Sequence, residues 1–262
     1  MPIIHSVITP HSPLLIPSIG KESNKLLEKT INSIKKIEEN FYSTQIETLL
    51  VISSHSQRDD DTFSISMSEE FEINFKEFGD FANKKTLKGD TFLAHQIKKE
   101  IFGENKIRLI NKKELNHGAG IPLYLLTENI KNIKIVPFYC SESSLEEHFL
   151  VGEKIQKALM RSNRRIGVIA SGDLSHKLTQ NAPAGFSPKA IKFDQKIIEH
   201  LQNKKNQNLI ETNPDLIEEV ETEGLKSISL LMGVLNNLNY TPKLLSYEHP
   251  FGVGYLTMSF YL

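Results

Sequence analysis

Apolar, largely β-branched runs recur at Ile3–Thr9, Thr48–Ser54, Ile133–Phe138 and Ile166–Ala170. Their nearly unbroken apolar character fits strands covered on both faces, where no wet face imposes alternation. Between them the spacing becomes helical. In Lys25–Ile37 the apolar positions are Leu26, Leu27, Ile31, Ile34 and Ile37, a stripe along one side of a helix. Leu145–Met160 carries Phe149, Leu150, Ile155 and Leu159 in the same manner. Ser187-Pro188 opens a third predicted helix reaching about Gln202, because serine caps a helix and proline fits its first turn. Thr222–Leu238 reads as a fourth, with Leu225, Ile228, Leu231, Leu235 and Leu238 turned inward. Thr62–Phe78 alternates apolar and polar residues and predicts a hairpin beside the sheet. Lys243–Tyr247 and Gly254–Leu262 read as two further strands. Strands alternating with helices predict an α/β fold: one three-layer α/β/α domain over residues 1–262 on a mixed, mostly parallel central sheet.

Composition narrows the partners. The 262 residues hold 31 basic and 32 acidic side chains, a net charge of -1, without a basic patch for nucleic acid. No apolar run approaches the ~20 residues that span a bilayer, and Met1-Pro2-Ile3-Ile4-His5 has no basic signal-peptide start. A single cysteine, Cys140, offers neither an internal disulfide nor a zinc cluster. The expectation is a cytoplasmic protein with no nucleic-acid or membrane partner.

Candidate chemistry gathers where strands end. Ile3–Thr9 leads to His11, held between Pro10 and Pro13; Thr48–Ser54 leads to His55; Ile166–Ser171 leads to Asp173 and His176; Lys243–Tyr247 leads to Glu248. In open α/β sheets ligands bind in the crevice beyond the carboxyl ends of the strands. Imidazoles and a carboxylate converging there suit a metal with an acid/base group beside it. A histidine taken alone is better explained by a hydrogen bond at a strand end; two in equivalent positions, His11 and His55, make the ligand reading its equal. Asp173 has the chemistry to orient an imidazole. His117 lies in Asn116-His117-Gly118-Ala119-Gly120, a glycine-rich turn opening a helix, where an anion can bind. A partly buried Glu248 needs a cation or several donors, and the adjacent His249 is a competing ligand. His95, His148 and His200 fall in predicted helices as surface or core residues, His5 packs within the first strand, and Cys140 reads as a small buried hydrophobe.

Thr9-Pro10-His11-Ser12-Pro13, Ser53-Ser54-His55-Ser56, His117-Gly118 through Pro122-Leu123, Ser171-Gly172-Asp173-Leu174-Ser175-His176, Gly185-Phe186-Ser187-Pro188 with Phe193-Asp194, and Tyr247-Glu248 through Tyr255 occur in that order. Together they resemble the class III extradiol ring-cleavage dioxygenases, in the superfamily of the protocatechuate 4,5-dioxygenase catalytic subunit. The resemblance implies that His11, His55 and Glu248 hold non-haem Fe(II), leaving one face of the metal open. It implies that His176, with Asp173 in support, is the acid/base residue and that His117 contacts substrate. The implied reactants are a catechol-type or 2-aminophenol-type aromatic and O2. The implied assembly is a homo-oligomer or a pairing with a small second subunit. A zinc-dependent enzyme on the same ligands and a non-catalytic metal-binding module are the alternatives.

Overall fold

The computed structural model describes residues 2–55, 61–101 and 107–262. The first part of the chain runs β1 (Ile3–Thr9), α1 (Pro17–Gly20), α2 (Glu28–Ser43), β2 (Thr48–Ser53), β3 (Phe63–Ser66) and β4 (Glu70–Phe75). It continues through β5 (Asp80–Gly89), α3 (Thr91–Ile101), β6 (Ile107–Ile110), α4 (His117–Leu126), β7 (Lys134–Tyr139) and α5 (Leu145–Met160). The last part holds β8 (Ile166–Ser171), α6 (Ala190–Gln202), α7 (Asn206–Ile210), α8 (Pro214–Val220), α9 (Leu225–Val234), β9 (Thr241–Glu248) and β10 (Tyr255–Tyr261).

The strands form one sheet in the order β4-β5-β7-β2-β8-β1-β10-β9, with β3 and β6 branching off β7. The centre, β5-β7-β2-β8-β1, is parallel, and antiparallel strands flank it. Successive side chains on a strand point to opposite faces. Leu50, Ile52, Val136, Phe138 and Val168 therefore pack into one core with α3, α5, α6 and α9. Leu49, Val51, Ile135, Tyr139 and Ile169 pack into a second core with α2 and α4. Both faces being covered is the reason these strands lack alternation, and the three-layer α/β/α arrangement follows.

Register sets up the site. Thr9 pairs with Ser171, and Ser53 pairs with the same Ser171 from the other side. The exits of β1, β8 and β2 are therefore level, and His11, Asp173 and His55 each stand two residues beyond. Backbone bonds carry the pairing onward: Gly172 N–H donates to Thr9 O at 3.1 Å and Ser54 N–H to Ser171 O at 3.2 Å.

Three expectations need correction. Phe63–Ser66 and Glu70–Phe75 are both strands, but they do not form a hairpin with each other: β3 pairs with β6 and β7, while β4 pairs with β5. Most of β5 is exposed or half-exposed, so its polar Asn83-Lys84-Lys85 stretch carries no apolar signal. The first helical stripe begins in a 3-10 turn over Lys21–Leu27, and the α-helix starts only at Glu28. The helix expected over Thr222–Leu238 is confined to Leu225–Val234, which leaves Thr222, Glu223 and Gly224 in a connecting turn.

Candidate metal centre

His11 and His55 reach toward each other over the end of β8, and their Nε2 atoms lie 3.2 Å apart. Glu223 completes a triangle, with Oε2 3.6 Å from His11 Nε2 and 3.4 Å from His55 Nε2. A divalent ion bound at ~2.0–2.2 Å by ligands subtending about 90–110° would separate its donors by roughly 2.8–3.6 Å. All three separations lie in that range. Two imidazole nitrogens and a carboxylate oxygen this close need a shared cation or proton to offset their lone-pair repulsion. The residues present fit a metal ion.

Glu223 reaches the site because the chain turns sharply ahead of α9. Glu221 adopts left-handed φ and ψ of 53° and 64°. Gly224 N–H then donates to Asp173 O at 2.8 Å. Gly172 and Gly224 touch backbone to backbone, and a Cβ on Gly172 would collide with the Gly224 Cα. This close approach seats the turn on the exit of β8. On the other side, a Cβ on Gly118 would lie 2.5 Å from Ser53 Oγ and 2.7 Å from His55 Cδ2, so glycine lets the His55 ring lie against α4.

Glu248, expected as the third ligand, is not at this triangle. It ends β9, the edge strand, two strands from β1. Its Oε1 accepts the Thr30 N–H at 2.8 Å. The residue preceding α2, Leu27, supplies no side-chain cap, so Glu248 satisfies an otherwise orphaned amide at the positive end of that helix. His249 is no competing ligand by position: its ring packs 5.7 Å from that of Tyr247.

The other expected residues surround the triangle. His117 is the first residue of α4, which Asn116 caps by accepting the Ala119 N–H at 3.0 Å. Its ring centroid lies 4.4 Å from that of His55 and 5.5 Å from that of His11. One ligand atom from each of these three histidines lies within 4.8 Å of the others. His117 Nδ1 faces Glu77 Oε1 at 3.3 Å, and Phe78 meets the same ring edge-on at 5.5 Å. Glu77 and Phe78 come from the turn between β4 and β5, so that hairpin rims the site. His176 is half-buried, with Nδ1 2.7 Å from the Glu221 carbonyl oxygen. Asp173 is buried and does not orient the His176 ring: its Oδ1 accepts the His11 backbone N–H at 3.2 Å. Asp194 and Tyr247 lock the His176 loop from behind. The Asp194 carboxylate accepts from Ser175 N–H at 3.1 Å, Ser175 Oγ at 2.5 Å and Tyr247 Oη at 2.6 Å.

Charge is distributed to suit a cation. His11, 3.6 Å away, holds Glu223 down to about 2, with His55 adding to it against burial. Burial, with the neighbouring charge of His11, takes His55 down to about 4. Burial lowers His117 as well. For His11 burial acts downward, but the Asp173 charge and the neighbouring Glu223 carboxylate outweigh it and raise the ring. Burial pushes Asp173 upward, partly offset by His11.

The remaining candidates have structural roles. His5 is buried, stacked on Tyr261 and edge-on to Phe41. His148 is buried in α5, where Nε2 accepts the Ser141 N–H at 3.3 Å. His95 is exposed, and His200 is buried on α6. Cys140 is a buried free thiol, pushed upward by burial. Among the described residues no helix is long and apolar enough to cross a membrane.

Sheet and site together define an α/β protein with a candidate metal centre at the carboxyl ends of adjacent parallel strands. The chain belongs to the family of the catalytic LigB subunit of aromatic ring-opening dioxygenase, which matches residues 5–258. It is 27% identical over 261 residues to protein CA_C1420 of Clostridium acetobutylicum, a match covering 96% of this chain and 56% of that relative. The chain thus spans little more than half the length of that relative. The crystal structure of JW3007 from Escherichia coli K12 superposes with a TM-score of 0.71 at 14% identity, covering 98% of this chain and 99% of that one. At that identity the likeness concerns the fold alone.

Proposed function

We propose that this chain is a non-haem Fe(II)-dependent extradiol dioxygenase that opens the ring of a catechol-type or 2-aminophenol-type substrate with O2. The observation that carries the reading is the triangle of His11 Nε2, His55 Nε2 and Glu223 Oε2 at 3.2–3.6 Å. These three residues would hold the ion. A divalent metal held by them would supply Lewis-acid chemistry, orienting the reactants and polarising their oxygens.

The chain's own residues supply the rest. A carbonyl oxygen only accepts, so the Glu221 carbonyl 2.7 Å from His176 Nδ1 assigns the ring proton to Nδ1. His176 Nε2 then carries a free lone pair. That nitrogen is suited to take a proton from a substrate hydroxyl and return it later, acting as general base and then general acid. Its neighbour Ser175 bridges to Thr222, so the His176 loop lies against the turn that carries Glu223. His117, with Nδ1 turned to Glu77, offers its other nitrogen to a substrate oxygen. Phe78 supplies an apolar wall that suits an aromatic ring and excludes water.

A second reading has its own support. Three histidines within 4.8 Å of one another are a donor set that zinc also accepts, which favours a zinc enzyme on the same fold. One experiment separates the two. Protein purified without air is analysed for metal, stripped, reloaded with Fe(II) or Zn(II), and assayed against catechols and aminophenols for a yellow ring-opened product. Oxygen-dependent product with Fe(II) only is the expected result. Turnover with Zn(II) only, or product formed without O2, refutes the dioxygenase reading.

A further inference from the structure

Ser171 is fully buried at the end of β8, between His11 and α4. Its Oγ lies 3.1 Å from His11 Nδ1 and also hydrogen-bonds the carbonyl oxygen of Gly118. A hydroxyl has one proton, and a carbonyl oxygen has none to give. The Ser171 proton therefore goes to Gly118 O, and Ser171 Oγ accepts from His11 Nδ1–H.

The reason Gly118 O is available lies four residues further on. In an α-helix that carbonyl would take the N–H of residue 122. Residue 122 is Pro122, inside α4, and it has no N–H. The proline leaves a carbonyl without its helical partner in a buried first turn, and the Ser171 hydroxyl takes the partner's place. Ser171 and Pro122 together fix which nitrogen His11 presents to Glu223.

Resting on the metal-centre reading, we infer that Ser171 is a positioning residue that holds His11 as the Nδ1–H tautomer. His11 Nε2 is thereby presented as a lone pair toward His55 Nε2, 3.2 Å away. Asp173 completes the mount by holding the His11 backbone N–H. Histidine ligands in general are set this way by the partner of their other nitrogen.

The test compares wild type with Ser171→Ala, a substitution that removes one oxygen and adds no bulk. The His11 tautomer is read by long-range proton–nitrogen-15 correlation on metal-free protein, at a pH where the ring is neutral. Affinity for Zn(II) and Co(II) is measured by competition with a chromogenic chelator. The expected results are Nδ1–H in the wild type, mixed tautomers in the variant, and an affinity lower by about 10–100-fold. Nε2–H in the wild type, or a variant binding both metals within twofold of wild type, overturns the assignment. A wild type that shows Nδ1–H but binds neither metal leaves the hydroxyl's role standing and overturns the metal-centre reading instead.

Discussion

Replacing Glu223 by glutamine and, separately, Glu248 by alanine should give opposite phenotypes, because the two carboxylates do different work. Glu248 accepts one amide, Thr30 N–H, at 2.8 Å, in the first turn of a helix with no side-chain cap of its own. Losing a capping acceptor costs ~1 kcal/mol, and losing a negative charge at a helix start adds ~0.3–1 kcal/mol. For a chain of this size each kcal/mol moves the melting temperature by about 2–4 °C. Glu248→Ala should therefore melt roughly 2–8 °C lower than wild type, in the absence of metal. Its response to metal should be unchanged. A divalent ion at a hundred times its dissociation constant stabilises the folded state by ~2.7 kcal/mol, or roughly 5–11 °C on the same scale. Glu223→Gln should lose that gain, because the triangle then has two nitrogens and no anion. The assay is differential scanning fluorimetry of both variants with and without Co(II) or Zn(II), under anaerobic conditions. If Glu248→Ala loses the metal-induced shift while Glu223→Gln retains it, Glu223 is not the carboxylate ligand and the reasoning from the triangle fails.

Other perturbations probe the residues around the triangle and in the core. His176→Gln should retain metal and slow turnover by ~10²–10⁴-fold, the usual range for loss of a general acid/base, whereas His11→Ala and His55→Ala should lose the metal; equal metal loss in all three would contradict this division. Gly118→Ala should weaken metal binding without unfolding the protein, since its Cβ would lie 2.7 Å from the His55 ring; metal titration giving wild-type affinity would count against that packing. His148 falls from an ordinary 6.5 to about 4, with burial the first cause. Its folded state thus binds the proton less readily than the unfolded chain. The stability this protects is whole above pH 6.5 and is lost as pH falls toward 4, on the order of 3 kcal/mol at most. Urea denaturation at pH 7 and pH 4.5 should show the loss, and His148→Gln should reduce it; an equal pH dependence in the variant would remove His148 as the cause.

The layered fold is legible along the chain because burial on both faces leaves unbroken apolar runs, and such runs are a local property. So is the position of His11, His55 and Asp173, each two residues past a strand that ends in register with its neighbours. The carboxylate is not. Glu248 occupies the expected kind of position, at the end of a strand-like run, and only the strand order reveals that this strand is an edge whose acid caps α2. Glu223 looks like the first turn of a long helix; the glycine immediately after it is the one local sign of a break. What brings it to the imidazoles is the contact of Gly172 with Gly224 and the left-handed turn at Glu221, both of which depend on where α9 packs. The hairpin expected of β3 and β4 fails for the same reason, since each finds partners elsewhere along the chain. Periodicity decides which segments become strands and helices, and strand ends announce the histidines. Which acid joins them is decided only by tertiary packing, because a ligand set is a statement about distances in space that sequence spacing does not contain.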